Sequence, residues 1–302
     1  MRVIETVDEM RAARRGWASE RVERVERVER VGLVPTMGYL HAGHVSLVER
    51  ARAENDHVVV SIFVNPTQFG PHEDLSRYPR DLPRDLALLE AAGADIVFTP
   101  PVEEVYPAGF GTYVEPTGVL AERLEAATRP GHFRGVATVV TKLLLMAAPN
   151  RVYFGQKDAQ QVAVVQRMAR DLNLPVEVRV LPTVREPDGL AMSSRNKYLG
   201  PEDRAAAIVL NRALRAGVAA FELQPAGGVS DVIAAMTAVV AAESRAQLDY
   251  ADVCDPDTFA PLTELHAPAL LAIAAKVGPA RLIDNFLLRA DGTWDMGVSV
   301  SP

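Results

Sequence analysis

Only one of the 302 residues is a cysteine, Cys254. A single thiol excludes an intramolecular disulfide and a cysteine-rich zinc site, and it fits a reducing compartment. Basic side chains are outnumbered, 32 Lys and Arg against 39 Asp and Glu, for a formal net charge of -7. That balance argues against nucleic acid or an anionic membrane as the main partner, while leaving room for a local basic pocket that takes an anionic small molecule. No stretch approaches the roughly 20 apolar residues of a membrane span. The N-terminal MRVIETVDEMRAARRGW carries acidic residues and no apolar block of signal-peptide length. The expectation is a soluble, cytoplasmic protein. Neither a full P-loop pattern nor the G-x-G-x-x-G dinucleotide fingerprint occurs.

What is present is ordinary globular composition, 48% hydrophobic and 24% charged, in a chain long enough for two domains. Short β-rich runs alternate with helical patterns: GLVPT then HVSLVERARAEN, HVVVSIFV then DLPRDLALLEAAG, ADIVFTP then a long loop, GVATVVTKLLLMAAP then RVYFG, and AQQVAVVQRMARDLN then VEVRVLPTV. Strands such as VVVSIFV are apolar on both faces, as strands between helical layers must be. This alternation predicts an α/β fold, a Rossmann-like doubly wound parallel sheet, over residues 1–183. From residue 184 to 302 the pattern changes to a helix through SSRNKYLGPEDRAAAIVLNRALRAGVAAFEL, a turn at AGGVS, a second helix and three strands, a smaller α+β domain. The repeat RVERVERVERV at 21–31 places Glu23 four before Arg27 and Glu26 four before Arg30, and reads as a solvated extension of the first helix.

In doubly wound sheets ligands bind where strand C-termini feed helix N-termini, and the polar clusters of this chain fall at such exits. In VPTMGYLHAGH, Gly38 and Gly43 let a ligand approach the backbone, and the helix from about Gly43 offers free N–H groups and a positive dipole end. His41 and His44 lie on one side of that first turn, suited to phosphate oxygens. A capped surface turn is the plainer reading. A metal site lacks a third ligand in the same turn. At the next exit, Asn65 and Gln68 can hydrogen-bond a polar ligand, or can belong to ordinary Asn-Pro turn chemistry. GQKDAQQ supplies Gly155, Lys157, Asp158 and Gln161. Ser193, Ser194 and Arg195 form either an anion clamp or a helix cap. Between them Arg129, His132 and Arg134 add positive charge.

The segments PTMGYLHAGH, SIFVNPTQFGP, RPGHFRGVATVVTKL, YFGQKDAQQ and AMSSRNKYL, in this order and spacing, resemble the motif series of the pantothenate synthetases, closely over residues 31–200 and loosely beyond. A lone HxGH is shared by many nucleotidyltransferases and one class of aminoacyl-tRNA synthetases; the five together are specific. The resemblance implies the HxGH-nucleotidyltransferase type of fold, a C-terminal lid domain, a homodimer, and ATP-dependent ligation of pantoate and β-alanine through an acyl adenylate. It implies an ATP site at Met37, Gly38, Tyr39, Leu40, His41, Ala42, Gly43 and His44, at Gly155, Gln156, Lys157 and Asp158, at Val184, and at Met192, Ser193, Ser194 and Arg195. Catalytic duty falls to His44 as proton donor, with His41, Lys157 and Arg195. Asn65, Gln68, Gln161 and His132 fall to the substrates, with Gln68 also near β-alanine.

The chain departs from the family in three places, one of them the repeat at 21–31, which looks like an insertion. Gln156 stands where Glu is common, and in YPRDLPRDLALL, where some relatives carry two adjacent acids near magnesium, only Asp85 remains, preceded by Arg84. Mg2+ is therefore expected mainly with ATP, with Asp85 as its one protein contact. The rival readings are another HxGH adenylyltransferase, an aminoacyl-tRNA synthetase, disfavoured by net acidity and the lack of an anticodon-reading domain, and a nucleotide-sensing module.

Overall fold

A computed structural model describes residues 1–19, 29–71, 73–223 and 228–300. Residues 21–28 of the RVE repeat, and part of the AGGVS turn, lie outside the described residues. The chain divides into two compact units, Met1–Phe154 with Val164–Leu181, and Gly155–Ala163 with Pro182–Pro302.

The first unit is built on a six-stranded sheet. Its elements are β1 (Arg2–Ile4), α1 (Val7–Ser19), β2 (Val31–Thr36), α2 (Ala42–Glu54), β3 (His57–Ile62), α3 (Leu82–Ala91), β4 (Ile96–Phe98), the short helices α4 (Val102–Val105) and α5 (Glu125–Thr128), α6 (His132–Ala147), β5 (Arg151–Gly155), the part of α7 (Ala159–Asp171) from Val164 onward, and β6 (Glu177–Leu181). Strand order is β1-β4-β3-β2-β5-β6. The pairs β1–β4, β4–β3, β3–β2 and β2–β5 are parallel, as the strand-helix alternation requires. Val58, Val59 and Val60 of β3 are fully buried. They can be apolar on both faces because helices cover both sides. Leu47, Val48 and Ala51 of α2 join Val34, Val58, Val60, Leu89 and Tyr153 in one core cluster. The edge strand Arg2–Ile4 has no signal in the sequence: three residues are too few to show a period.

The second unit continues with β7 (Val184–Arg185), α8 (Pro201–Ala207), α9 (Val209–Leu223), α10 (Val229–Ala241), β8 (Ala246–Cys254), β9 (Ala269–Val277), β10 (Ala280–Leu288), β11 (Trp294–Asp295) and β12 (Val298–Ser299). A four-stranded sheet runs β11-β10-β9-β8, antiparallel throughout. A two-residue parallel pair joins β12 to β7. Leu210, Leu214 and Val218 of α9 and Met236 and Val240 of α10 pack with Leu271, Ile273 and Phe286 of the sheet. A Cβ on Gly217 would lie 2.8 Å from Met236 Cγ and 2.9 Å from Leu271 Cδ2, so α9 sits at glycine distance from its neighbours.

The three expected strands are present, with β11 added. The single helix expected from residue 193 onward is three pieces: a 3-10 turn at Ser194–Tyr198, then α8, then α9. Pro201 starts α8 at its first position and has no N–H with which to continue a helix from the preceding residues. Pro182 likewise separates β6 from β7 in the run read as one strand.

Candidate active site

Strand β2 ends at Thr36, and α2 begins at Ala42 with His41 as its extended N-cap. The link uses two successive left-handed residues, Gly38 at φ 82° and Tyr39 at φ 52°. Glycine is required at 38 twice over, by φ and by space: a Cβ would lie 2.9 Å from Ile62 Cγ2 and 3.1 Å from Asp85 Oδ2. Tyr39 in that region costs of order 1 kcal/mol or more, and Asp85 holds it there. The Tyr39 amide donates to Asp85 Oδ2 at 2.7 Å, and the Leu40 amide to Oδ1 at 2.8 Å. Burial raises the Asp85 carboxyl above the usual range, against the pull of these two amides and of Arg84.

Asp85, the expected magnesium contact, is placed under this turn. The residue is 1% exposed and both of its oxygens already accept from the turn, so it anchors backbone. Among the described residues no group of three His, Cys, Asp or Glu is placed to hold a metal ion. The His41 and His44 rings lie 4.0 Å apart between centroids, tilted by 36°. The His41 amide donates to His44 Nδ1 at 3.3 Å. An accepting Nδ1 puts the proton of the neutral ring on Nε2.

The amides at the β3 exit are brought together with Met37. Asn65 is 1% exposed and its amide is saturated by protein. Its Nδ2 donates to Gln68 Oε1 at 3.0 Å and to the Gly135 carbonyl at 3.2 Å. Its Oδ1 accepts from Tyr106 Oη at 2.8 Å and from Thr67 Oγ1 at 2.9 Å. Asn65 therefore orients Gln68, whose Nε2 donates to the weak acceptor Met37 Sδ at 3.4 Å. Gly135 allows this packing, since any Cβ there would collide with the backbone of Thr67 and Gln68.

The expectation that His132 adds positive charge is corrected. Burial first, and Arg129 second, bring its pKa down from 6.5 to about 4. Its neutral ring donates from Nδ1 to the Gln68 carbonyl at 2.9 Å, while Nε2 accepts from Arg129 at 3.0 Å. Arg129 is itself neutralised by a two-pronged pair with Glu73, at 2.6 and 2.9 Å. Desolvation and these bonds leave Glu73 below the usual range on balance. Arg134 lies 3.7 Å from the centroid of the Tyr113 ring. A cavity of about 260 Å³ opens here, lined among others by Gln68, Tyr113, His132 and Arg134.

The remaining expected residues belong to the second unit. Gln156–Asp158 form a single 3-10 turn after Gly155, with Lys157 Nζ 3.7 Å from Asp158 Oδ1. Gln161 follows, half-buried, in the first turn of α7. Val184 and Met192 are brought together, the Met192 amide donating to the Val184 carbonyl at 2.9 Å. Ser193 caps the Ser194–Tyr198 turn by accepting from the Arg195 amide at 3.3 Å. Asn196 ties the turn down, donating to Glu186 Oε1 at 3.2 Å and the Ala191 carbonyl at 3.1 Å. Arg204 closes the group on Glu186 at 2.6 Å and Asp188 at 2.7 Å.

Two supports of this unit went unread in the sequence: Asn285, which bonds the 155–158 turn, and the buried pair Arg185–Asp284, at 2.7 and 2.9 Å. Their signal was the polar dipeptide inside the apolar run RLIDNFLL, because buried polar groups need partners.

The family model for pantoate-beta-alanine ligase matches residues 2–287. A pantothenate synthetase of Roseiflexus sp. (strain RS-1) is 58% identical over 290 residues, 96% of this chain and 100% of that protein. The crystal structure of pantothenate synthetase from Thermus thermophilus superposes with a TM-score of 0.87 at 52% identity, over 94% of this chain and 98% of that one. That of pantoate-beta-alanine ligase from Francisella tularensis, complexed with beta-gamma ATP and beta-alanine, gives 0.76 at 34% identity, over 95% and 97%. This chain belongs to the pantoate-β-alanine ligase family.

Proposed function

We infer that this protein is an ATP-dependent ligase that joins pantoate to β-alanine, releasing pantothenate, AMP and pyrophosphate. Membership of the family supports the overall reaction. The observation that carries the chemistry is the paired His41 and His44 at the start of α2, on a backbone fixed by Asp85.

A carboxylate does not react with an amine directly, so the reaction is divided into two steps. A pantoate carboxylate oxygen attacks the α-phosphorus of ATP, and the bond to the bridging oxygen breaks with its electron pair leaving on pyrophosphate. The β-alanine amine then attacks the acyl carbon of the adenylate. The C–O bond to AMP breaks, and the amine gives up a proton as the amide forms. Such transfers need charge stabilised on the α-phosphate and on the departing group more than covalent help. His44, with its proton on Nε2, donates to the leaving pyrophosphate, and His41 beside it binds phosphate oxygen. Residues 37–44 take the nucleotide along the glycine-bearing turn, and the positive end of the α2 dipole adds to the attraction.

From the second unit, Lys157, Ser193, Ser194 and Arg195 supply cationic and hydroxyl donors, with Gly155, Gln156, Asp158, Val184 and Met192 as further ATP contacts. Gln68 takes a pantoate oxygen in place of the Met37 thioether, with Asn65 and Gln161 as further amides and His132 beside the substrates, while Asn65 and His132 also hold Gln68 in place. A buried amide that loses its partner costs about 1–3 kcal/mol, which discriminates against acids lacking the matching oxygen. Magnesium would enter mainly with the phosphates of ATP, where it would neutralise their charge, with Asp85 as its protein contact. We place the enzyme in the cytoplasm as a homodimer, on the family reading and on its single, buried cysteine.

Exchange of labelled pyrophosphate into ATP tests this. It is expected to require pantoate and to need no β-alanine. Exchange without pantoate, or none at all while ATP binds, would overturn the proposal. In His44→Ala the exchange is expected to fall by on the order of 100-fold or more with the fold intact, the usual weight of a general acid. A near-normal rate would remove that role.

A further inference from the structure

The Gln156–Asp158 turn has little of its own to hold it. It is one 3-10 turn, its N-cap Gly155 supplies no side-chain bond, and a Cβ at Gly155 would meet nothing. Glycine is not what fixes its shape. What does is Asn285 of β10, 4% exposed and 128 residues away along the chain. Asn285 Nδ2 donates to the carbonyls of Gln156 and Lys157, each at 3.0 Å. Its Oδ1 accepts from Gln156 Nε2 at 3.2 Å. Two carbonyl acceptors on one nitrogen leave no doubt about which end of the amide is which.

We propose that Asn285 is a positioning residue for adenylation: it fixes the peptide on both sides of Lys157 and so sets where the ammonium meets the phosphates. The proposal rests on the reading that Lys157 binds ATP. A lysine has four rotatable side-chain bonds and no planar fork, so the direction of its charge depends on the backbone that carries it. Aspartate at 285 has the same shape, yet would turn an acceptor toward two carbonyls and lose both bonds. The neighbouring residue does related work. Adjacent strand residues point to opposite faces, and Asp284 holds Arg185, next to Val184, while Asn285 holds the Lys157 turn.

Steady-state kinetics of full-length Asn285→Asp, Lys157→Ala and the double variant test the proposal, with thermal melts to verify folding. Asn285→Asp is expected to lower kcat/KM for ATP by on the order of 100-fold, the scale of a misplacement of about 1 Å, with KM for pantoate unchanged. In the double variant the two losses are expected not to multiply, because one acts through the other. A rise in KM for pantoate or β-alanine as large as the loss for ATP, or losses that multiply, would overturn the proposal. So would unchanged ATP kinetics in Asn285→Asp while Lys157→Ala is impaired, and the ligase reading would then stand without it. Unchanged ATP kinetics in Lys157→Ala would overturn the ATP role beneath it. If Asn285→Asp does not fold, Asn285→Ser, which keeps a shorter donor, is expected to show the same selective loss for ATP.

Discussion

The turn that carries His41 and His44 and the turn that carries Lys157 are held by opposite chemistries. Asp85, a buried anion, accepts from two backbone amides of the first. Asn285, a buried neutral amide, donates to two backbone carbonyls of the second. In both, a distant side chain closes two bonds on consecutive peptide groups, so the turn is set without regular secondary structure. The difference lies in charge. A carboxylate offers two strong acceptors at the cost of desolvation, which raises its pKa. An amide binds less strongly and does not titrate.

The second unit keeps its buried charge beside the neutral anchor, in the pair Arg185–Asp284, whose side chains are 3% and 2% exposed. Asp284→Ala strands the guanidinium among buried neighbours and is expected to cost about 3–5 kcal/mol. Urea denaturation measures it; a loss well below that would mean water reaches Arg185.

The first unit has a neutral anchor of its own in His132, which holds Gln68 as Asn285 holds Lys157, but imidazole titrates. Its folded pKa is about 4 against an ordinary 6.5. The unfolded chain therefore binds the proton more readily, and the stabilising contribution is complete above about pH 6.5 and lost as pH falls toward 4. The shift corresponds to about 3 kcal/mol. Wild type is expected to lose about that much more stability than His132→Asn between pH 7 and 4. Parallel curves for the two proteins would show that the ring is not held neutral.

Asp85 shifts the other way, so the sign reverses. Its raised pKa makes the folded state the better proton binder. The stability linked to its protonation is full below the ordinary 3.8 and declines as pH rises through the folded value. The advantage of wild type over Asp85→Asn is expected to shrink with rising pH across that window. Above it, the amide introduced by Asp85→Asn would face one backbone N–H with a donor, for a penalty of about 1–3 kcal/mol from the unmatched group. Denaturation of both proteins from pH 3.5 to 7 decides the sign.

What could be read from the sequence followed from local pattern. VVVSIFV, apolar on both faces, announced a buried parallel strand, and HxGH between a strand and a helix announced the histidine pair. What could not be read was pairing over long separation. Asp85 looks like an acid in the first turn of a helix, and nothing nearby in sequence says that its partners are Tyr39 and Leu40. His132 reads as a positive charge until burial and Arg129 are known. Asn65 reads as a ligand contact, and nothing nearby in sequence says that its amide also bonds Gln68, Gly135 and Tyr106. The break at Gly200–Pro201 was legible and falls inside a run otherwise rich in helix formers.

The assignment of the histidine turn and the Lys157 turn to one adenylation reaction is tested most directly by isotope transfer. With 18O in the pantoate carboxylate and β-alanine present, attack of that carboxylate on the α-phosphorus followed by acyl transfer delivers one labelled oxygen to AMP. Label in AMP is the expected result. ADP and labelled inorganic phosphate in place of AMP, or AMP without label, would contradict it.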